Sequence, residues 1–155
     1  MKHYCYIDSP IGRLLLRASD GVLNELHFPN SAKMQKIENE VEKESPFQQV
    51  IAQLEEYFKG ERKSFELEIL PAGTEFQQSV WQELQNIPYG HTASYSQIAQ
   101  KIGTPKGCRA VGMANSRNPI PIIIPCHRVI GKNGTLTGFG GGLDTKKFLL
   151  DLETG

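Results

Sequence analysis

Apolar and polar positions alternate over the first part of the chain, which is the pattern of half-buried β-strands. Residues 4–7, 13–18 and 22–28 are short β-prone runs, and turn sequences rich in Gly, Pro, Ser and Asp separate them. Residues 65–69 alternate in the same way and predict a further strand. The first part of the chain is therefore predicted to contain a small antiparallel sheet.

Helical spacing replaces the alternation between Pro46 and Gly60, where apolar side chains recur every three or four positions. This spacing predicts a helix over residues 46–59. The preceding residues 32–44 are charged and polar, and they predict a surface helix or loop. The Pro-Ala-Gly sequence at 71–73 is the best boundary, so we expect an N-terminal lobe over residues 1–72 and a C-terminal lobe over residues 73–155.

The second lobe is predicted to be mainly helical. Thr74 and Ser94 each stand three positions before a glutamine, the pattern of a capping box, and an apolar stripe follows each of them. Residues 108–116 predict another short helix after the one that Ser94 begins, and the two make a helix-turn-helix candidate. A last helix is predicted over residues 144–153. Its inward side chains are predicted to be Phe148, Leu149 and Leu152.

Small residues dominate the helix predicted over residues 108–116, and two explanations fit them. They allow a close approach to a nucleic-acid groove, or they pack tightly against another helix. Paired short helices also occur in many globular cores, so this motif alone is a weak sign of DNA binding. The small residues are Ala110, Gly112, Ala114 and Ser116.

Composition narrows the class of protein. The 155 residues are 39% hydrophobic and 22% charged, which fits one globular domain or two small lobes. No apolar run is long enough to span a bilayer, and the first residues lack the apolar core of a signal peptide. Cys5, Cys108 and Cys126 form no Cys-x-x-Cys pair, so a disulfide framework is not expected. These features predict a cytoplasmic protein without membrane contact.

Net charge is zero, but its distribution is uneven. Residues 1–72 carry 9 Lys and Arg against 12 Asp and Glu, whereas residues 73–155 carry 8 against 5. No acidic residue lies between Leu84 and Leu143, although six basic residues do. This window predicts an electropositive face for a phosphate or polyanion partner, unless acids from elsewhere in the chain fold against it. A neutral chain is expected to make only a local contact with DNA.

The sequence Pro125-Cys126-His127-Arg128 sets a thiol beside an imidazole between two aliphatic runs. The thiolate is the reactive form of cysteine, and a neighbouring base or cation raises its fraction. A catalytic nucleophile and an ordinary buried cysteine both fit this segment taken alone. The four histidines show no metal-ligand spacing, and the glycines at 138–142 lack the phosphate-loop pattern, so no metal site is predicted.

Several ordered motifs between residues 74 and 153 resemble those of the O6-alkylguanine-DNA alkyltransferases, also called methylated-DNA–protein-cysteine methyltransferases. The N-terminal part is similar more loosely, mainly through Asp8-Ser9-Pro10-Ile11-Gly12. The resemblance implies a ribonuclease-H-like α/β lobe, followed by a mainly helical lobe with a winged-helix-like helix-turn-helix. The matching motifs are Phe76-Gln77-Gln78-Ser79-Val80-Trp81, Ile87-Pro88-Tyr89-Gly90, Ser94-Tyr95, Arg109-Ala110-Val111-Gly112, Asn118-Pro119, Pro125-Cys126-His127-Arg128-Val129 and Gly141-Gly142-Leu143.

The resemblance also implies DNA repair by irreversible, single-turnover transfer of an alkyl group to Cys126. The donors would be O6-alkylguanine and also O4-alkylthymine, and no cofactor would be needed. By this resemblance His127 acts as a base through a water, and Glu153 orients it. Asn118 would bridge the helix-turn-helix and the active-site strand, and Tyr95 would give a proton or hydrogen bond to the base.

The partner that the resemblance implies is double-stranded DNA, bound through its minor groove by a monomer with the damaged nucleotide flipped out. Arg109 would insert into the duplex in place of that nucleotide. The other implied DNA contacts are Ser94, Tyr95, Ala110, Ala114, Arg117 and Arg128. The implied base pocket consists of Asn115, Val129, Phe139 and Gly140.

Two stretches depart from the pattern typical of the family. Arg117 stands in a stretch that is usually richer in glycine, and it either adds a phosphate contact or crowds the edge of the pocket. Phe139 and Gly140 leave little side chain at the pocket rim, which predicts tolerance of alkyl groups larger than methyl. The zinc ligands of some relatives have no counterpart here.

Three alternative functions can be set against alkyl transfer. A non-catalytic sensor of alkylated DNA would lack the acceptor cysteine, which is present here as Cys126. A transcription regulator would need more base-reading side chains on its recognition helix. A cysteine hydrolase would need an oxyanion hole and multiple turnovers.

Overall fold

Four strands form the sheet of the first part of the chain: β1 (Lys2–Ile7), β2 (Leu14–Ser19), β3 (Val22–His27) and β4 (Val41–Glu42). Their order is β3-β2-β1-β4. The first three strands are antiparallel neighbours, and β4 pairs parallel with β1. The predicted antiparallel arrangement is confirmed for three strands, and the short β4 makes the sheet mixed. Asp20 and Gly21, both at positive φ, form the tight hairpin turn between β2 and β3.

The structure is a computed structural model that describes residues 1–35 and 39–155. The chain falls into two units, Met1–Ala72 and Gly73–Gly155. Within the region predicted as a surface helix or loop, Ala32–Gln35 form a short 3-10 helix and β4 follows. The rest of that prediction includes residues 36–38, which lie outside the described residues.

Helix α1 (Gln48–Phe58) confirms the helix predicted near residues 46–59. A 3-10 turn that contains Pro46 precedes it, because proline suits the first turn of a helix. The apolar face of α1 buries Val50, Leu54 and Tyr57 in the core of this unit.

The strand predicted at residues 65–69 is wrong. The Gln53 side chain on α1 takes both backbone groups of Glu66: its Nε2 donates to the carbonyl oxygen at 3.1 Å, and its Oε1 accepts from the amide at 2.9 Å. These groups are therefore not available for a strand ladder. A single bridge, between Ile69 and Leu23, is the pairing that remains.

Helices α2 (Glu75–Leu84), α3 (Tyr95–Lys101), α4 (Cys108–Ser116) and α5 (Leu143–Thr154) make up most of the second unit. Thr74 and Ser94 cap α2 and α3 with complete capping boxes, as the sequence predicts. Helices α3 and α4 form the predicted helix-turn-helix pair. A two-stranded parallel ladder between β5 (Ala93–Ser94) and β6 (Val129–Ile130) joins the start of α3 to the segment after the cysteine motif.

Helix α5 lies where it is predicted, but its inward face differs. Lys146, Leu149 and Glu153 are buried, whereas Phe148 is 37% exposed. The prediction took the apolar residues as the inward face. Leu149 confirms the prediction, but two charged residues share that face, because both have hydrogen-bond partners inside the unit.

A buried turn leads into the cysteine motif. Ile120, Ile122 and Ile124 are buried, and the Ile124 amide donates to the Ile120 carbonyl at 2.9 Å. Ile122 has a φ of +75°, which a β-branched residue rarely adopts. Cys126–Arg128 then form a single 3-10 turn. Within the described residues, no helix has the length and apolar character needed to cross a bilayer.

Candidate active site

Cys126 begins the 3-10 turn and is only 4% exposed. Burial raises the pKa of its thiol to about 11, while a hydrogen bond from the Asn118 side chain and the charge of Lys146 act in the opposite direction. The thiol is therefore protonated at neutral pH and needs a base to become a nucleophile. Burial and two glutamates raise the pKa of Cys5 to about 12. The charged groups that affect the pKa of Cys5 are thus glutamates, whereas the charged group that affects the pKa of Cys126 is a lysine.

His127 and Glu153 form a buried pair. The distance from His127 Nε2 to Glu153 Oε2 is 2.6 Å, and both side chains are almost fully enclosed. A carboxylate can only accept, so Nε2 carries the proton and Nδ1 is the basic nitrogen. Nδ1 is buried and has no hydrogen-bond partner among the described residues. Burial lowers the pKa of His127, against the influence of Glu153, so the imidazole is held neutral and able to accept a proton.

Arg128 is part of the same buried network. Its Nε donates to Glu153 Oε1 at 2.8 Å, its Nη2 to Oε2 at 3.1 Å, and its Nη1 to the Ile87 carbonyl at 2.7 Å. The prediction that Arg128 contacts DNA is therefore wrong, because its guanidinium is enclosed and each of its three nitrogens donates to a group within the protein. The acid-free window was counted along the sequence, and Glu153 folds back onto it from 25 residues beyond Arg128.

Two asparagines hold the backbone on either side of the cysteine. Asn118 Nδ2 donates to the Ile124 carbonyl at 2.7 Å, and Asn118 Oδ1 accepts from the Ile120 amide at 3.0 Å. Asn118 lies two residues after α4, so these bonds join the end of that helix to the turn before Cys126. Asn115, on α4 itself, donates from Nδ2 to the Cys126 carbonyl at 3.4 Å.

Lys146 is a functional candidate that the sequence analysis did not identify. The side chain is fully buried, and its Nζ donates to the Val129 carbonyl at 2.6 Å and to the Thr137 carbonyl at 3.5 Å. Burial lowers its pKa, while the nearby Cys126 raises it. The sequence spacing could have indicated this position. Lys146 lies two helical turns before Glu153, so both side chains are on the same face of α5.

Two of the predicted base-pocket residues, Val129 and Phe139, lie close to this lysine. The Val129 carbonyl is its acceptor, and the Phe139 ring centroid is 6.0 Å from its Nζ. Gly140 lies on the exposed part of the same loop. The Tyr95 hydroxyl is 2.5 Å from Thr137 Oγ1 in that loop.

Helix α4 presents a mostly basic and small-residue face to solvent. Arg109, Ala110, Ser116 and Arg117 are exposed, and Met113 among them is 55% exposed. Sequence reasoning missed Met113, although it lies one turn beyond Arg109 on the same face.

Two of the predicted DNA contacts have structural partners instead. Ala114 is 2% exposed, and its carbonyl accepts from Trp81 Nε1 at 2.8 Å, so the prediction that Ala114 touches DNA is wrong. Helical spacing turns it toward α2, and the packing explanation of the small residues holds there. Ser94 uses its hydroxyl as the cap of α3.

Comparisons with known proteins agree with this arrangement. Residues 2–71 match the ribonuclease-like domain of 6-O-methylguanine DNA methyltransferase, and residues 75–155 match its DNA binding domain. The chain belongs to the 6-O-methylguanine DNA methyltransferase family. Both domains of the family are thus present in one chain, and the buried cysteine, histidine and glutamate lie in the DNA binding domain.

Individual members of the methyltransferase family are similar over nearly the whole chain. The methylated-DNA–protein-cysteine methyltransferase of Methanosarcina acetivorans is 52% identical, with 97% of both chains covered. That of Mycobacterium leprae is 48% identical, covering 99% of this chain and 93% of the relative. The crystal structure of Mycobacterium tuberculosis OGT in complex with DNA superposes with a TM-score of 0.93 at 47% identity. The superposition covers 98% of this chain and 92% of that chain.

Proposed function

We propose that this protein repairs double-stranded DNA by moving the alkyl group of O6-alkylguanine irreversibly onto Cys126. The observation that supports this most is the enclosed thiol beside a neutral histidine whose second nitrogen is held by Glu153 at 2.6 Å. O4-alkylthymine, with a comparable alkylated oxygen, is the second expected substrate. The family membership and the DNA-bound relative support the same substrate class.

The first chemical step is deprotonation of the thiol. His127 Nδ1 takes the proton through a water, and Glu153 stabilises the imidazolium that forms. The negative charge on Cys126 is supported by the Asn118 hydrogen bond and by Lys146. Arg128 keeps Glu153 ionised and fixed in direction through two charge-assisted hydrogen bonds.

The second step is a direct displacement at the alkyl carbon. The bond from Cys126 Sγ to the alkyl carbon forms as the bond from that carbon to O6 breaks, and the electron pair stays on the base. The base takes up one proton from the Tyr95 hydroxyl. The proton that His127 took from the thiol then passes to the Tyr95 oxygen, so the imidazole and the phenol both end neutral. The product thioether cannot ionise to a thiolate again, so each molecule reacts once and needs no cofactor.

DNA binding is assigned to the exposed face of α4. Arg109 enters the duplex in place of the extruded nucleotide, and Ala110 lets the helix approach the minor groove closely. Arg117 adds a phosphate contact at the end of the helix, and Met113 lies against the groove wall. Such contacts do not depend on sequence, which suits repair of lesions at any position. We expect the protein to bind as a monomer.

The cysteines bear on where the protein acts. Cys5, Cys108 and Cys126 are all free thiols. A free acceptor thiol has to stay reduced to react, which supports the cytoplasm as the expected location.

Intact and peptide mass spectrometry tests the proposal. After incubation with a duplex carrying one O6-methylguanine, the peptide with Cys126 should gain one methyl group, and the signal should stop at one equivalent. Cys126→Ser should abolish the gain, whereas Cys108→Ser is the matched control that keeps it. Binding without a mass change would identify a damage sensor, and repeated turnover would identify a hydrolase.

The size of the transferable group needs a separate test. Gly140 is exposed and adds no side chain to the loop, which supports a pocket open to groups larger than methyl. O6-benzylguanine should therefore benzylate Cys126. No detectable reaction with the benzyl base would show that the pocket accepts only small groups.

A further inference from the structure

The Tyr95 hydroxyl has a defined partner outside the family motif. Thr137 Oγ1 lies 2.5 Å from it, so the two hydroxyls share a short hydrogen bond. Tyr95 is the first residue of α3, and Thr137 belongs to the loop between β6 and α5. The bond therefore joins the helix-turn-helix to the loop that carries Phe139 and Gly140.

The ring of Tyr95 faces Gly112 of α4. A Cβ atom on Gly112 would lie 3.8 Å from Tyr95 Cε1, so the helix backbone lies close beside the ring. The ring therefore has a neighbour on this side, and its hydroxyl is fixed by Thr137. The phenol oxygen is therefore held in one place, from which its proton can point to one acceptor at a time.

Thr137 is linked to the reacting thiol through Lys146. Lys146 Nζ donates to both the Thr137 and Val129 carbonyls, and the same ammonium lowers the pKa of Cys126. The loop position of Thr137 and the electrostatics of Cys126 thus depend on one buried side chain.

We propose that Thr137 is a positioning residue for alkyl transfer, which acts by orienting and polarising the Tyr95 hydroxyl; this rests on the proposed function. In the free protein the more acidic phenol donates to Thr137 Oγ1. When the damaged base is bound, Tyr95 turns its proton toward the base and Thr137 donates its own proton to the phenol oxygen. The threonine hydroxyl then supports the charge that develops on Tyr95 as the base leaves.

Substitutions that separate the hydroxyl from the side-chain shape test this role. Thr137→Val keeps the shape but can neither donate nor accept, whereas Thr137→Ser keeps the hydroxyl. The single-turnover rate of methyl transfer from a duplex with one O6-methylguanine is measured for both, alone and combined with Tyr95→Phe. Thr135→Val, in the exposed part of the same loop, is the matched control.

Thr137→Val should slow methyl transfer about tenfold, the effect of one hydrogen bond of ordinary strength on an activation barrier. Thr137→Ser should restore most of that rate, and Thr135→Val should leave it unchanged. In the Tyr95→Phe background, Thr137→Val should cause no further loss, because the phenol through which it acts is absent. DNA affinity, measured in the unreactive Cys126→Ser background, should not change.

Equal rates for Thr137→Val and the parent protein would overturn the proposal, and so would equal losses in the valine and serine variants. If the rate losses caused by Thr137→Val and Tyr95→Phe were fully additive, Thr137 would act independently of the phenol. That result would also contradict the proposal. If the valine variant does not fold, Thr137→Ala provides the same comparison. Failure of the parent protein to alkylate Cys126 at all would instead contradict the proposed function.

Discussion

Burial is the largest influence on the pKa values of Cys126, His127 and Lys146. In each case it disfavours the charged form, so the resting groups tend toward neutrality. Proton transfer from the thiol to the imidazole therefore creates two charges in an enclosed site. Glu153, on the imidazole side, and Asn118, on the thiol side, are the hydrogen-bonding groups that oppose this cost.

Replacing the buried ammonium should weaken the nucleophile. Lys146→Met has nearly the same shape but no charge, so the pKa of Cys126 should rise further and the thiolate fraction at neutral pH should fall. Methyl transfer at pH 7 should slow about tenfold or more, since one unit of pKa is a factor of ten in ionisation.

The rate–pH profile distinguishes an electrostatic role of Lys146 from simple damage to the fold. The profile of Lys146→Met should shift toward higher pH, with the rate recovering in alkaline buffer. A uniform loss at every pH would contradict a role in thiol ionisation. Lys147→Met, at an exposed position on the same helix, serves as the control.

The pH dependence of the parent protein should reflect His127. Protonated imidazole cannot accept the thiol proton, so acid must inhibit transfer. Because burial lowers the pKa of His127 below its ordinary value of 6.5, the inhibition should set in only below that pH. Single-turnover rates between pH 5 and 8 provide the measurement. A half-maximal rate at or above pH 6.5 would contradict a histidine held neutral by burial.

At this scale, sequence motifs could identify the cysteine and its histidine but not all of their neighbours. Glu153 was reached through the family resemblance alone, because only the fold brings it to His127. Arg128 was misjudged because a charge window along the sequence cannot include a distant partner. Lys146 was missed because a lysine on a helix is normally expected to face solvent.

Helix α5 contributes two buried charged groups, Lys146 and Glu153, to one site. Replacing Glu153 by glutamine leaves the enclosed guanidinium of Arg128 without a counter-charge. We expect Glu153→Gln to lose about 3–5 kcal/mol of unfolding free energy, the usual effect of breaking a buried ion pair. Chemical denaturation measures this loss.

Asp151→Asn is the matched control for that experiment. Asp151 lies on the same helix and pairs with Lys147 at 2.7 Å, but both side chains are about two-thirds exposed. Water screens such a pair, so its stability should hardly change. Similar losses in the two variants would contradict the importance of the buried network.

Elements whose signals are local were predicted well. The capping boxes at Thr74 and Ser94 mark the starts of α2 and α3 because the hydrogen bonds that define them span only three residues. The strand predicted at residues 65–69 does not form. The sequence does alternate there, but the side chain of Gln53, which lies earlier in the chain, binds the backbone amide and carbonyl of Glu66. The inward face of α5 was predicted correctly only at Leu149, since charged residues can also be buried once they have partners.

At the scale of the molecule, the charge distribution predicts how binding responds to salt. The second unit carries the positive excess, and Arg109 and Arg117 are exposed on α4, whereas Arg128 is not available. Few phosphate contacts are therefore expected, and the affinity should depend on salt only moderately.

Fluorescence anisotropy at several salt concentrations tests this distribution. Arg117→Ala should reduce the slope of log affinity against log salt by about one, the value for one lost phosphate contact. Lys33→Ala, an exposed lysine in the first unit, should leave the slope unchanged. An equal effect of both variants would show that binding responds to net charge and not to a site on α4.

The organisation in two lobes could be expected from the Pro-Ala-Gly boundary and from the change of hydrophobic period around it. The chemistry of the site could not be expected from composition, because a neutral, ordinary globular chain is compatible with many functions. Predicting that chemistry required motifs spread over some eighty residues. It also required the fold, which brings the last helix to the cysteine turn.

The enclosure of Cys126, finally, has a consequence for the lifetime of the unreacted protein. A molecule that acts once is lost if its sulfur reacts first with peroxide or with a disulfide, and an exposed thiolate attacks either oxidant far faster than a buried thiol does. Because Cys126 is only 4% exposed and its thiol is protonated at rest, such oxidants have little access to the sulfur. The burial that hinders deprotonation of the Cys126 thiol thus also keeps unreacted protein able to transfer an alkyl group until DNA damage occurs.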